Sequence, residues 1–270
     1  MHDQAAKAAR FLALHQGERP LLLANAWDAG SAKLLAWLGF EALATTSSGS
    51  AASLGRPDYG VSRDEALAHC AALVVATELP VSADLENGFA EDPAGVAETV
   101  RLAGELGLAG CSIEDWSSAH RCLYGAHTAA ERVAAAAEAA HSGPARMVLT
   151  ARAENYLRGN RDLDDTIARL QAFQEAGADV LYAPALDSPE HVRRLLAAVE
   201  LPVNVLARPG APSVAELSDM GVRRVSVGGS FALAAYGAVV RAGRELLDDG
   251  TYGFHELSAV GAEAARAAFG

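Results

Sequence analysis

The chain is poor in cysteine: Cys70, Cys111 and Cys122 are scattered through 270 residues with no CxxC pair. That argues against a disulfide framework and fits a reducing, cytoplasmic setting. Basic residues are also scarce, with 22 Lys and Arg against 34 Asp and Glu, and no basic stripe offsets the formal net charge of -12. A phosphate backbone would be repelled, so nucleic acid is not an expected partner. No apolar run reaches the roughly 18 residues of a membrane span. The stretch Met1–His15, broken by Lys7 and Arg10, lacks the apolar core of a signal peptide. The Gly-x-Gly-x-x-Gly fingerprint is missing after the first predicted strand, where Asn25-Ala26-Trp27-Asp28 stands, which disfavours a nicotinamide cofactor. Neither HxH nor HExxH occurs, so His120 and His127 read as surface residues rather than zinc ligands.

What the chain does have is apolar residues, 51% of the total, in short β-prone runs that alternate with alanine-rich stretches of helical spacing. Strands are predicted at 20–24, 42–45, 80–84, 111–114, 147–152, 180–183, 203–206 and 225–227. Helices are predicted at 93–106, 129–140, 163–176 and 189–199, and Gly39, Gly107, Gly177 and Gly221 mark helix C-termini. Eight units without a composition break predict an α/β fold, a single (β/α)8 barrel over residues 1–270. The segment 230–270 exceeds one closing helix and carries apolar faces, so it is expected to be a helical oligomerisation element.

In a parallel barrel the strand C-terminal ends converge on one rim. The predicted strands deliver there Asn25, Trp27 and Asp28; Thr45, Thr46, Ser47, Ser48 and Gly49; Asp84 and Glu86; Glu114 and Asp115; Arg152 and Glu154; and Asn204. Asp84, Glu86 and Glu114 would repel one another as bare neighbours. Two readings fit: a divalent cation with hard oxygen ligands, Mg2+ or in its place Mn2+, or carboxylates that are solvated or paired with arginine. Arg152 is placed to grip a substrate's anionic group, to pair with Glu154 or Glu114, or to do both. Ser47, Ser48 and Gly49 form a turn that can offer backbone amides to an acid. Asp58 lies in a turn-rich loop, 54–60, and either caps a turn or reaches the substrate. Cys122 follows Glu114 in a loop where a lid could carry an acid or base.

Together, Leu23-Ala24-Asn25-Ala26-Trp27-Asp28, Thr45-Thr46-Ser47-Ser48-Gly49, Leu54-Gly55-Arg56-Pro57-Asp58, Ala83-Asp84-Leu85-Glu86-Asn87-Gly88-Phe89, Ser112-Ile113-Glu114-Asp115, Thr150-Ala151-Arg152-Ala153-Glu154 and Pro202-Val203-Asn204-Val205-Leu206 carry a resemblance. In that order the chain resembles the isocitrate lyase/phosphoenolpyruvate mutase superfamily over nearly its whole length, on the carboxyvinyl-carboxyphosphonate phosphorylmutase-like branch. The resemblance implies a barrel whose last helix is swapped between subunits of a homodimer or homotetramer. It implies Mg2+ held by Asp84 directly or through water, with Glu86 and Glu114 ordering its water shell. It further implies that Ser47, Ser48 and Gly49 cradle the carboxylate of a 2-oxo or 2-hydroxy acid, that Arg152 grips the distal anionic group, and that Asp58 is the mobile catalytic aspartate. Trp27, Thr45 and Asn204 join the substrate-binding set.

One segment departs from the family pattern. The best-known lyases carry Lys-Lys-Cys-Gly-His or Lys-Arg-Cys-Gly-His in the gating loop, whereas this chain reads Ala119-His120-Arg121-Cys122-Leu123-Tyr124. Cys122 stands at a comparable distance from Glu114, without the glycine and histidine that follow. The asparagine-containing loop of the phosphonate branch has no counterpart between Trp116 and Thr128. The expected activity is therefore a magnesium-dependent carbon-carbon lyase or decarboxylase acting on a small dicarboxylic acid through an enolate-like intermediate. A carbon-phosphorus mutase or hydrolase, and a non-catalytic 2-oxo acid binder, are the alternatives.

Overall fold

Short apolar strands buried on both faces can satisfy their backbones only in a sheet covered by helices, and here the sheet closes on itself. The computed structural model describes residues 4–143, 145–186 and 188–270; Met1 to Asp3 of the N-terminal stretch considered above lie outside them. The strands are β1 (Leu21–Ala26), β2 (Leu43–Thr45), β3 (Val81–Asp84), β4 (Gly110–Glu114), β5 (Trp116–Ser117), β6 (Cys122–Leu123), β7 (Val148–Arg152), β8 (Val180–Tyr182), β9 (Val203–Leu206) and β10 (Arg224–Ser226). Eight of them form a closed parallel barrel in the order β1-β10-β9-β8-β7-β4-β3-β2. All eight predicted strands are present, and the fold is the expected (β/α)8 barrel. The remaining pair, β5 and β6, is an antiparallel hairpin after β4, in a stretch read from sequence as a plain loop.

The helices are α1 (Gln4–Leu14), α2 (Ala29–Trp37), α3 (Ser47–Ser53), α4 (Arg63–Ala76), α5 (Pro93–Glu105), α6 (Ala126–Ser142), α7 (Leu163–Glu175), α8 (Pro189–Ala198), α9 (Val214–Met220), α10 (Ser230–Arg244) and α11 (His255–Phe269). Their starts are written locally. Asp28, Ser62 and Ser213 close capping boxes with Ser31, Glu65 and Glu216, and Asp92 caps α5 ahead of Pro93. Gly39, Gly107, Gly177 and Gly221 all adopt positive φ just past helix ends, as expected. The turn read at Ser47–Gly49 is instead the first turn of α3, capped by the Thr46 side chain.

Alternate strand residues face inward and outward. Outward-facing Ala83, Cys111, Ile113, Leu149, Ala151, Leu181 and Val203 belong to the core between barrel and helices. Beneath the barrel, α1 closes the end away from the strand C-termini. Phe11, fully buried, lies where a β-carbon on Gly110 would come within 2.9 Å of its ring, so only glycine leaves room for this plug. The C-terminal segment folds as α10, a π-helical turn (Glu245–Asp249) and α11, which packs on α2. Among these residues only Ala232 is buried, and Leu233, Val239, Val240, Leu247, Leu257 and Val260 are exposed.

Candidate functional site at the strand C-termini

A cavity of about 180 Å³ opens at the strand C-terminal end, lined among others by Asn25, Thr45, Thr46, Ser47, Ser48, Asp58, Tyr59, Asp84, Arg152 and Asn204. Asp84 sits at its centre because it is the last inward position of β3. Its Oδ2 accepts hydrogen bonds from the Ser47 amide at 3.1 Å and the Ser47 hydroxyl at 2.9 Å, and its Oδ1 meets Arg152 Nη1 at 2.9 Å. The Asp84 amide donates to Thr45 Oγ1 at 2.8 Å, which locks β3 to β2 at the rim.

Arg152 points to the rim as expected and is ringed by acid. Besides Asp84 it meets Glu114 Oε2 at 3.0 Å and Glu154 Oε1 at 2.9 Å. Burial opposes its charge, but Glu154, Glu114 and Asp84 outweigh that and hold its pKa well above the ordinary value. Of the readings left open by the sequence, the arginine-paired one is realised here for Asp84 and Glu114. Glu114 also accepts from the Tyr59 hydroxyl at 2.6 Å, and its carboxyl pKa is raised by burial, which Arg152 only partly offsets.

Glu86 is different. It is buried in a left-handed backbone conformation (φ 51°), and its Oε1 has no hydrogen-bond partner. Burial first, then the charges of Asp84 and Asp58, push its pKa up to about 8. Five carboxylates, those of Asp58, Asp84, Glu86, Glu114 and Glu154, thus face two guanidinium groups, Arg152 and Arg158. The excess of carboxyl groups over guanidinium groups, the raised pKa of Glu86 and its orphaned oxygen fit a site that a cation would stabilise. Among the described residues no three His, Cys, Asp or Glu side chains are grouped to ligate a metal directly, so any such ion would keep much of its water.

Asp58 rests on the cavity edge, 3.4 Å from the Ser47 hydroxyl, where partial burial and then the Asp84 charge raise its pKa. Trp27 and Gly49 do not line the cavity; a β-carbon on Gly49 would fall 3.1 Å from Trp27 Cβ and 2.6 Å from Thr46 Cγ2, so the glycine lets α3 sit tightly on β1. Asp28 caps α2, and Asp115 pairs with Arg169 at 3.1 Å behind the rim. Cys122 is exposed on β6 and does not line the cavity. Tyr59 and Arg158 were missed in the sequence reading. The Arg158 guanidinium lies 4.4 Å from the Trp116 ring centroid and hydrogen-bonds the Tyr59 hydroxyl, tying loop 54–60 to the hairpin β5-β6. Tyr59 beside Asp58 was the available signal; nothing in periodicity marks Arg158.

The fold and site define a (β/α)8 barrel of the enzymatic kind, with an acid-rich pocket at the strand C-termini. The family model described as phosphoenolpyruvate phosphomutase matches residues 11–247, and the chain belongs to that family, within the isocitrate lyase/phosphoenolpyruvate mutase superfamily. A solved Burkholderia cenocepacia structure described only as a lyase/mutase is 52% identical, with TM-score 0.91 over 94% of this chain and 92% of that one. Oxaloacetate decarboxylase 2 of Pseudomonas fluorescens is 30% identical over 253 residues, 91% of this chain and 85% of its own. Escherichia coli 2-methylisocitrate lyase is 31% identical over 195 residues, 69% of this chain and 64% of its own.

Proposed function

We propose that the protein is a divalent-metal-dependent lyase or decarboxylase that cleaves a carbon-carbon bond in a small 2-oxo or 2-hydroxy dicarboxylic acid. The observation that carries this reading is the excess of carboxyl groups around Asp84, with the buried Glu86 Oε1 left without a hydrogen-bond partner. Asp84, Glu86 and Glu114 would hold Mg2+, or Mn2+ in its place, and the ion when bound supplies Lewis acidity toward the charge that develops beside the breaking bond.

The chain's own groups do the rest. The hydroxyls of Thr45, Ser47 and Ser48 orient the acid's carboxylate against the rim. Arg152 holds the carboxyl groups of Asp84, Glu114 and Glu154 close together at the rim, so the polar groups are in place before substrate arrives. Asp58, with its raised pKa, holds or moves a proton at the cavity edge. Tyr59 and Arg158 keep that loop over the site and exclude water. The relatives named as lyases and a decarboxylase support carbon-carbon cleavage, while the description of the family model keeps carbon-phosphorus chemistry as the alternative.

The exposed apolar faces of α10 and α11 support subunit contacts through 230–270, to be read as dimer or tetramer by light scattering. Three unpaired cysteines support a cytoplasmic setting, and no helix among the described residues is long and apolar enough to cross a membrane. The function is tested by incubating the protein with oxaloacetate, methylisocitrate, dimethylmalate and phosphonopyruvate, with Mg2+ and with chelator. Chelator-sensitive release of a 2-oxo acid from a carbon substrate is expected; phosphate from phosphonopyruvate would move the protein to the carbon-phosphorus branch.

A further inference from the structure

Barrel interiors are ordinarily packed with branched apolar side chains. Here the inward positions one layer below the rim are Ser82 on β3, Ser112 on β4, Thr150 on β7, Asn204 on β9 and Ser226 on β10. These small polar groups leave the barrel hollow, and the cavity runs from Asp58 at the rim down past Ser82, Ser112 and Ser226 to Arg224. Arg224 is buried, only 4% exposed. Its Nε donates to Asn204 Oδ1 at 2.9 Å, its Nη2 to Thr150 Oγ1 at 3.0 Å, and its Nη1 meets His15 Nε2 at 3.2 Å.

All three partners are neutral. His15 Nδ1 lies 2.8 Å from the Phe11 carbonyl, which can only accept, so that nitrogen carries the proton and Nε2 is an acceptor. Burial, then the charge of Arg224, lowers the His15 pKa to about 3, in keeping with a neutral ring. Among the described residues no carboxylate pairs with Arg224, and each Nη retains an N–H beyond the bond it makes. A buried guanidinium whose partners are all neutral, at the end of a polar cavity, is chemically suited to pair with an anion. Arg152, by contrast, already has three carboxylates.

We propose that Arg224 is the specificity-determining residue for the substrate's second acidic group, which descends the barrel axis from the rim and pairs with this guanidinium. The assignment deepens the oxo-acid site proposed above and rests on it. Two residues of strand separate the Arg152 layer from the Thr150 layer, about 6–7 Å, which suits the length of a four- or five-carbon diacid.

The test is calorimetric binding, with Mg2+ present, of oxalate, 2-oxoglutarate and 2-oxopentanoate; the last two differ only in a distal carboxylate against a methyl group. The wild-type protein is expected to bind 2-oxoglutarate about 10- to 100-fold more tightly than 2-oxopentanoate. Arg224→Gln should abolish that preference and leave oxalate binding unchanged, and Arg224→Lys should restore part of it. Should Arg224→Gln fail to fold, Ser112→Val decides: it keeps the arginine but narrows the well, and should weaken 2-oxoglutarate and spare oxalate. No preference in the wild type, a preference that survives Arg224→Gln, or 2-oxoglutarate binding that Ser112→Val leaves unchanged, overturns the assignment. Absent oxalate binding would instead count against the rim site, which keeps the two failures apart.

Discussion

The rim and the floor of this barrel solve the problem of buried charge in opposite ways. At the rim, carboxylates outnumber guanidinium groups and Arg152 is shared among Asp84, Glu114 and Glu154. At the floor a single guanidinium, Arg224, is held by amide, hydroxyl and neutral imidazole, without a counter-ion. The rim thus has more carboxyl groups than guanidinium partners and the floor a guanidinium without a carboxylate, about two side-chain layers apart. A cation at one end and an acid's far carboxylate at the other would neutralise both. Neither region alone implies a diacid; the contrast between them does.

The comparison breaks most sharply at Asp84. Asp84→Ala removes the carboxylate on which Ser47 and Arg152 converge, and metal-dependent turnover is expected to fall by about a thousandfold or more. Release of 2-oxo acid with and without chelator measures it, and retained chelator-sensitive activity would refute the metal assignment. Next is Arg152→Met, which strands buried carboxylates and should destabilise the fold by about 3–5 kcal/mol in urea unfolding. Adding Glu154→Gln to that variant should recover part of the loss, because one uncompensated charge is removed.

The floor responds to pH instead. His15 has a folded pKa of about 3 against the usual 6.5, so the unfolded chain binds the extra proton between those values. Its contribution to stability is full above about pH 6.5 and drains away as pH falls toward 3, by up to about 1.4 kcal/mol per pH unit. His15→Gln should flatten that part of the stability profile; an unchanged slope would assign acid sensitivity to the rim. Tyr59→Phe, which deletes the 2.6 Å hydrogen bond to Glu114, is expected to lower kcat/KM about tenfold. The smallest effect should come from Cys122→Ala, within about threefold, as the thiol is exposed on the hairpin; a severe loss would mean that the loop closes further over bound acid.

Much of the architecture was legible in order and spacing. Apolar runs gave the eight strands, and glycines gave the helix ends. The rim residues Asp84, Glu114 and Arg152 followed from strand ends, since the last inward position of each strand must point into the mouth of a parallel barrel. Less was legible where contacts join distant segments. The α3 helix replaced an expected turn because Thr46 caps it and Gly49 fits against Trp27. Arg158 reaches Tyr59 across 99 residues, a pairing that no periodicity encodes.

Arg224 marks the boundary between the two kinds of information. In Val222-Arg223-Arg224-Val225-Ser226 the sequence by itself determined a β-prone run interrupted by charge, because strand propensity and alternation are local properties. It likewise determined the barrel, the family and the acidic character of the rim. Only the tertiary structure decided that Arg223 reaches the Gly17 carbonyl at the surface while Arg224 enters the lumen to meet Thr150 and His15. The physical reason is closure: whether a strand residue faces helices or lumen depends on the register of all eight strands, and that is fixed by the barrel as a whole.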